Sequence, residues 1–196
     1  INLFGPYLDI KIKGKSLGKS IFHSGISRTI FELLLLRKVL ENSGIITAEL
    51  ENTFWPGIEK SKLKNRKNVT ISNIRKVFYS SGIDEIILNK NGVIYFNYKN
   101  LDFKSDLQYF LNEYNLAIKS VSESATIDAI GHYQNSLKIF GYDGLKNPMK
   151  INEITTYQNQ LLEKVTEASK FLLIHKNSIF DEEALAIAEH HFQNNS

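Results

Sequence analysis

Cysteine is absent from this chain of 196 residues, and both proline and methionine are scarce. Without cysteine the chain can form neither disulfide bonds nor a zinc site with thiolate ligands, and it has no thiol for catalysis. No stretch approaches the roughly 18 consecutive apolar residues of a membrane-spanning helix, and the first residues lack a signal-peptide pattern. We therefore expect a cytoplasmic location and no contact between this segment and a membrane.

Signatures of catalysis and of cofactor binding are also missing from the sequence. There is no glycine-rich phosphate loop, no nucleophile elbow and no acidic pair in a recognisable catalytic setting. The histidines are scattered without the spacing of metal ligands, at His23, His132, His175, His190 and His191. The sequence thus predicts no catalytic residue, no metal, no cofactor and no enzymatic activity.

What remains is an ordinary globular composition with an uneven distribution of charge. Hydrophobic residues make up 42% of the chain and charged residues 23%, which suits one or two compact units with a core. Residues 1–99 contain 16 Lys or Arg and 8 Asp or Glu, whereas residues 100–196 contain 8 and 13. Residues 60–76 alone carry seven positive side chains and no negative one. This split indicates a basic unit that meets a polyanion and an acidic unit with another task.

The first half is predicted to contain strands, then three helices, then a hairpin. Alternating apolar positions favour a strand within residues 3–14. Helices are predicted over residues 27–42, 47–54 and 61–79, and Ser27 and Thr47 can cap the first two. The Asn91-Gly92 pair lies between two β-rich runs and is a strong hairpin signal. Three helices followed by a β-hairpin constitute a winged helix, whose third helix would enter a DNA groove.

The second half predicts helices alone. Apolar residues recur at helical spacing over residues 123–140 and 152–175, and Asp181 can cap a last helix. In the first of these helices we expect Ile127 to line the buried face. The predicted fold is thus an α+β N-terminal winged helix-turn-helix domain over residues 1–100, followed by an all-α domain over residues 101–196.

A helical wheel of residues 61–79 separates an apolar side from a polar side. The apolar side should face the leucine-rich first helix, and it holds Leu63, Ile71, Ile74, Val77 and Phe78. The polar side and its flanks, together with the lysine at the hairpin tip, give the residues predicted to bind DNA: Lys62, Asn65, Arg66, Asn68, Val69, Ser72, Asn73, Lys76 and Lys90.

This polar side is unusual for a helix that merely faces water, because asparagine is a poor helix former and Val69 is apolar. Asparagine can bind adenine through two hydrogen bonds, serine can pair with several bases, and a valine methyl can pack on a thymine methyl. Lysines at both ends would bind phosphates and fix the register. On the residues alone, a solvated basic helix with incidental asparagines remains the alternative.

Three further residues on or near this helix have predicted structural roles, and two of them have an alternative role in phosphate binding. Lys67 falls on the core side, so we expect a buried stem with its amine reaching water. Arg75 lies at a core edge and suits either a structural ion pair or a phosphate contact. Trp55 is expected to fill the core beneath the loop between the second and third helices, with an indole contact to phosphate as the alternative.

A resemblance to OmpR-type winged helices is carried by residues 49–78, ELENTFWPGIEKSKLKNRKNVTISNIRKVF. The segment is most similar to bacterial transcriptional regulators of the antibiotic regulatory (SARP) type. Their first strand resembles LFGPYLDI (3–10), and their wing resembles KNGVIYF (90–96). The resemblance implies binding of double-stranded DNA, and it implies contact of the Trp55–Ser61 loop with RNA polymerase. The family often has arginine near the position of Asn73, so an amide there should favour adenine over guanine.

The second half is similar to the tetratricopeptide-like bacterial transcriptional activation domain that follows the winged helix in that family. The similarity rests on DFKSDLQYFL (102–111) and LLEKVTEASKFLLIHKNSIFDEEALAIAEHHF (161–192). It implies a domain truncated within its repeats, in a fragment of a longer regulator. We predict a sequence-specific DNA-binding transcriptional regulator, and a homodimer, since one module reads one half-site. The alternative is a helical interaction scaffold that uses the winged helix to bind protein.

Overall fold

The computed structural model describes residues 1–5, 8–13, 15–17, 22, 24–97 and 103–195. Over these residues the chain forms seven α-helices and five short strands, so it is mostly helical with a small antiparallel sheet of three strands. The chain divides into two compact units. One comprises residues 11–103, and the other comprises residues 1–10 together with residues 104–196.

The unit of residues 11–103, the basic unit, contains three helices and all five strands. A two-residue hairpin pairs β1 (Lys11–Ile12) with β2 (Lys15–Ser16). The remaining elements follow in the order α1 (Gly25–Glu41), β3 (Ile45–Ile46), α2 (Thr47–Phe54), α3 (Lys60–Tyr79), β4 (Ile87–Lys90) and β5 (Val93–Phe96). Strand β5 lies between β3 and β4 in the three-stranded sheet.

The hairpin predicted from Asn91-Gly92 is confirmed. Lys90 pairs with Val93, so Asn91 and Gly92 alone form the turn between the two strands. Both have positive φ, 51° for Asn91 and 78° for Gly92. A two-residue turn with two positive φ angles matches the right-handed twist of the strands, and asparagine and glycine tolerate that conformation best.

The three predicted helices are confirmed, but both predicted caps are wrong. Helix α1 begins one turn earlier than expected because Ser24 is its N-cap and accepts a hydrogen bond from the Ser27 amide at 3.1 Å. Thr47 is the first residue of α2 and Ile46 its N-cap. A serine three residues upstream offers the same chemistry, so composition alone does not select between the two serines.

The core of the basic unit is built on α1. Its leucines at positions 33–36 and the preceding Ile30 are at most 1% exposed. The Phe31 ring stacks on Phe78 of α3 with centroids 5.2 Å apart and meets Phe96 of β5 edge-on at 5.5 Å. Helix α1 thereby fixes both α3 and the hairpin, and the aromatic contacts stabilise this placement beyond area burial alone.

The second unit, which we call the helical unit, packs helix on helix. It contains α4 (Asp106–Ser122), α5 (Thr126–Phe140), α6 (Asn152–Ile174), α7 (Glu182–Asn195) and a 3₁₀ turn (Lys176–Ser178). Helix α4 packs mainly on α5, and α6 mainly on α7. The predicted cap at Asp181 is confirmed, because its Oδ1 accepts a hydrogen bond from the Ala184 amide at 3.1 Å. Ile127 was expected in the core, but it is 83% exposed at the first turn of α5.

The first ten residues pack with the helical unit. The Phe4 ring lies 5.8 Å from Phe110 and 4.9 Å from Phe140, and its amide donates to Asp106 Oδ2 at 2.7 Å. The predicted boundaries at residues 1–100 and 101–196 differ from this division, which assigns residues 1–10 to the other unit. In place of the continuous strand expected over residues 3–14, the described residues form isolated bridges and β1, and residues 6 and 7 and the predicted turn residue Gly14 lie outside the described part of the chain.

Over the described residues, none of the helices combines the length and apolar character needed to cross a membrane.

Candidate nucleic-acid interface

Helix α3 presents one face to the core and the opposite face to solvent. Ile71, Ile74 and Phe78 are buried, as the helical wheel predicts, and Leu63 and Val77 are half-buried beside them. The buried residues occur at a spacing of three or four, which is the spacing of one side of an α-helix. The orientation of α3 about its own axis is therefore set by these contacts, and the polar face points outward.

The polar face contains nearly all of the residues predicted to bind DNA. Eight of the nine are exposed, namely Lys62, Asn65, Arg66, Asn68, Val69, Ser72, Lys76 and Lys90. Asn73 is only half-buried. The first seven lie on α3 and follow one another along about four turns of helix, whereas Lys90 lies at the end of β4. Val69 is 50% exposed, so an apolar group is presented to solvent in the middle of a polar row.

The charge on this face is almost uncompensated. Helix α3 contains no acidic residue. At its start, Lys62 Nζ lies 3.6 Å from Glu59 Oε2, and both side chains are more than half exposed. An exposed pair of this kind contributes at most about 1 kcal/mol and is screened by salt. Lys62 can therefore exchange this partner for a phosphate at small cost.

Lys67 differs from the prediction. It does lie on the core side, but its amine does not reach free solvent. Its Nζ is 2.6 Å from Glu51 Oε1, and the two side chains are 13% and 20% exposed. This ion pair joins α3 to α2 and removes Lys67 from the cations that could meet a polyanion, because a partly desolvated charge that loses its partner is costly.

Arg75 forms no ion pair within the part of the chain that the structure describes, and its phosphate contact stays a prediction. Its Nε and Nη2 both donate to the backbone carbonyl of Ile87, at 3.1 and 2.8 Å. Strand β4 is at the edge of the sheet, where alternate carbonyls have no partner strand. The guanidinium satisfies one of these carbonyls, so Arg75 fixes the hairpin against α3.

Strand alternation places Asn89, rather than Lys90, beside α3. Asn89 pairs with the buried Ile94 and shares a strand face with Ile87 two residues earlier, while Lys90 projects from the opposite face. A cavity of about 140 Å³ lies between α3 and the hairpin, lined by Lys67, Asn68, Ile71, Arg75, Asn89 and Ile94. Asn89 was not among the predicted DNA-binding residues, although its position two residues after Ile87 indicates that it shares a strand face with Ile87.

Trp55 lies where the sequence predicted. It is 6% exposed at the end of α2, and its ring centroid lies 6.1 Å from that of Phe54. The next two residues, Pro56 and Gly57, are exposed and form a turn in which Gly57 has a φ of 75°. Trp55 thus anchors the α2–α3 loop to the core, and the turn that follows it faces solvent.

Metal chemistry has no geometric support in the described part of the chain. Nowhere in it do three His, Asp or Glu side chains converge as a metal site requires. His132 Nδ1 lies 2.8 Å from Glu113, and His191 Nε2 donates to the Gly141 carbonyl, both within the helical unit. His23 lies outside the described residues.

Chemically, this surface offers amide and hydroxyl groups, the exposed methyl groups of one valine and several exposed cations on one helix. Comparison with known proteins adds no identification. No protein-family model matches the chain, and no curated protein matches its sequence. The function must therefore be inferred from the surface itself.

Proposed function

We propose that this chain is a sequence-specific DNA-binding transcriptional regulator whose basic unit is a winged helix. Helix α3 would lie in the major groove of double-stranded DNA, and the β4–β5 hairpin would be the wing. The single observation that carries the proposal is the outward face of α3. It presents exposed amides and Val69 among cations on a helix with no acidic residue.

Base readout is supported by the chemistry of the exposed residues. Asn65 is exposed and Asn73 half-buried on the outward side of α3, and a carboxamide can accept from adenine N6 and donate to adenine N7. The Val69 methyl groups match the methyl of thymine, the one apolar group in the major groove. Contact between the exposed Val69 methyl groups and an apolar surface would be favourable, because it removes them from water. We infer a preference for A·T base pairs.

Phosphate binding would position the helix. Lys62 and Lys76 lie at the two ends of the polar face, and Arg66 lies beside it. A cation near each end of a groove-bound helix can reach the backbone on either side and so fix its register. Lys90 projects from the hairpin tip, where it can reach the backbone next to the groove.

Further parts of the proposal rest on the resemblance to SARP-type regulators. The helical unit would be a tetratricopeptide-like activation domain, and the exposed turn at Pro56 and Gly57 would contact RNA polymerase. A homodimer would read two half-sites, since one recognition helix covers only one. A regulator of this kind would act in the bacterial cytoplasm.

Selection of bound sites from a pool of random duplexes tests the proposal directly. We expect enrichment of a short A·T-rich sequence, with affinity that falls steeply as salt rises. Replacement Asn73→Ala should relax the choice of base at one position by about 1–3 kcal/mol of discrimination. Ser80→Ala, at an exposed position just after α3, is the matched control and should leave the selected sequence unchanged.

The alternative function, a protein-binding platform, has one observation in its favour. Ile46 and Tyr79 of the basic unit are 56% and 71% exposed, and exposed apolar groups suit protein interfaces. The two functions differ in the response to duplex DNA. If the chain binds no duplex even at low salt, the platform replaces the DNA-binding proposal.

A further inference from the structure

The cleft between α3 and the hairpin adjoins the outward face of α3 and shares Asn68 with it. Its volume of about 140 Å³ is about ten times what one water molecule needs by the same measure. It is therefore large enough for a group bigger than water. Its floor is apolar, formed by Ile71 and Ile94, and its remaining lining is polar.

The polar lining is rich in hydrogen-bond donors. Arg75 and Lys67 contribute two cations, and no carboxylate lines the cleft. Lys67 is neutralised by Glu51, which leaves the guanidinium of Arg75 as the uncompensated charge. Because Nε and Nη2 of Arg75 are held by the Ile87 carbonyl, the orientation of its Nη1 amino group is fixed in advance.

Two carboxamides complete the lining. Asn68 projects from α3 and Asn89 from β4, and neither makes a hydrogen bond to another group within the part of the chain that the structure describes. Asn89 occupies a strand face whose other members, such as Ile87 and Phe96, are buried and apolar. Asn68 and Asn89 are both exposed, so their carboxamides are accessible to a ligand in the cleft.

We propose that this cleft seats one phosphodiester group of the DNA backbone, bound by Asn68, Arg75 and Asn89. A phosphodiester suits the cleft because it carries one negative charge and only hydrogen-bond acceptors, and guanidinium groups bind phosphate strongly. This inference rests on the proposed function. It adds a backbone contact that none of the cations on the outward face of α3 provides, and it fixes the hairpin and α3 on the same strand of DNA.

The test places a carboxylate in the cleft, where it should repel the phosphate, and then removes the phosphate charge from one linkage of the DNA at a time. Asn89→Asp keeps the shape of the side chain but places a carboxylate in the cleft. The full chain and this variant are titrated with the selected duplex and with a series of duplexes, each containing one neutral methylphosphonate linkage. For the unchanged chain we expect the neutral substitution to weaken binding about tenfold at the linkage seated in the cleft, as well as to weaken it at the linkages that the outward cations contact.

The variant should bind the ordinary duplex about tenfold more weakly, and the neutral linkage at that same position should restore affinity rather than reduce it. Asn115→Asp, on an exposed position of α4, adds the same charge outside the basic unit and should behave like the unchanged chain. Asn68→Asp gives a second, independent variant and should be relieved at the same linkage. If the fluorescence of Trp55 shows that Asn89→Asp does not fold, the result for Asn68→Asp tests the proposal by itself.

The outcomes separate the two proposals. If both variants respond to every linkage as Asn115→Asp does, the cleft holds no phosphate, while DNA binding by the outward face stands. If the variants are relieved only at different linkages, the single shared seat is wrong. If the unchanged chain binds no duplex, the proposed function itself fails.

Discussion

Glu32 is a charged residue that is buried in the apolar core of the basic unit. It lies on α1 among the core leucines and is 4% exposed. Its Oε1 accepts a hydrogen bond from Arg28 Nε at 2.8 Å, but Oε2 has no partner within the described residues. Burial raises the pKa of the Glu32 carboxyl, although Arg28 acts in the opposite direction. A carboxyl that is easier to protonate in the folded state than in the unfolded state destabilises the fold once it ionises.

Replacement Glu32→Gln tests this cost. The stabilisation from proton uptake is full below the ordinary glutamate pKa and is lost as the pH rises through the raised folded pKa. We therefore expect the free energy of unfolding of the variant to increase relative to that of the unchanged chain as the pH rises from 4 to 7. At pH 7 the variant should be about 1 kcal/mol more stable. Urea unfolding followed by Trp55 fluorescence measures this difference. A difference that is the same at every pH would contradict the argument, and Glu189→Gln, an exposed glutamate of α7, controls for net charge.

At the scale of single residues, the sequence predicted burial better than partners. Ile74 and Phe78 are buried as the helical pattern required, and Trp55 is buried as expected for a residue that fills the core beneath the loop. Lys67 was placed on the correct side of α3, but its ion pair with Glu51 was not foreseen. Burial follows from the periodicity of one element, whereas a partner on another helix depends on how the two helices are placed in space.

Between elements, the contact of Arg75 with β4 stabilises the hairpin. A guanidinium that donates two hydrogen bonds to one carbonyl contributes about 1.5 kcal/mol or more where it is partly buried. Replacement Arg75→Met should therefore lower the free energy of unfolding of the basic unit by about 1–2 kcal/mol, measured by urea unfolding with Trp55 as the reporter. Lys76→Met removes the same charge from the neighbouring exposed position and should have little effect. Equal stability of the two variants would show that the Arg75 contact is not stabilising.

In the helical unit, a buried histidine joins α7 to the end of α5. His191 is 4% exposed, and its Nε2 donates to the Gly141 carbonyl at 2.7 Å. Burial lowers the pKa of His191, and the nearby His190 lowers it further, while the bond to Gly141 opposes both. A histidine held neutral in the fold stabilises it above the ordinary pKa of about 6.5, and this stabilisation is lost as the pH falls below that value.

We expect amide hydrogen exchange in α5 and α7 to quicken as the pH falls from 7 to 5, after correction for the intrinsic exchange rate. His191→Gln should exchange faster at pH 7 and lose most of this pH dependence. His190→Gln, at an exposed position, should retain it. Equal pH dependence in the two variants would exclude His191 as the group responsible.

Secondary-structure elements with a strong local signal in the sequence were predicted correctly, and elements without one were not. Six of the seven helices in the described residues, and the hairpin with its two-residue turn, were found within a few residues, because each has a strong local signal. Helix α4 (Asp106–Ser122) was not predicted as an element of its own. The continuous opening strand was predicted wrongly, because Phe4 forms its bridge with Leu145, far along the chain. An alternating pattern shows that one face is buried but not which surface buries it.

For the whole molecule, the separation of charge follows the division into two units. The basic unit, residues 11–103, contains 16 Lys or Arg and 8 Asp or Glu, and the rest of the chain contains 8 and 13. Attraction of a polyanion should therefore come from the basic unit. On the proposed function, the response of affinity to salt counts the cations that meet phosphate.

The triple replacement of Lys62, Arg66 and Lys76 by glutamine should reduce the slope of log affinity against log salt by about 2.7, at about 0.9 per phosphate contact. Replacement of Lys119, Lys170 and Lys176 by glutamine removes the same charge from exposed positions of the helical unit and should leave the slope unchanged. Duplex titrations between 50 and 300 mM salt, roughly the range over which such contacts are screened, measure both. A reduction shared equally by the two triple variants would mean that net charge, not the face of α3, governs binding.

The amino-acid sequence by itself determined most of the helical segments, the turn of the hairpin, the uneven charge and the outward side of α3, because each depends on residues close together in the chain. Only the tertiary structure decided that the first ten residues pack with the helical unit, that Arg75 binds an edge-strand carbonyl, and that Asn89 stands beside α3. These features depend on which surfaces meet, and contacts between distant segments leave no periodic trace in the sequence that forms them.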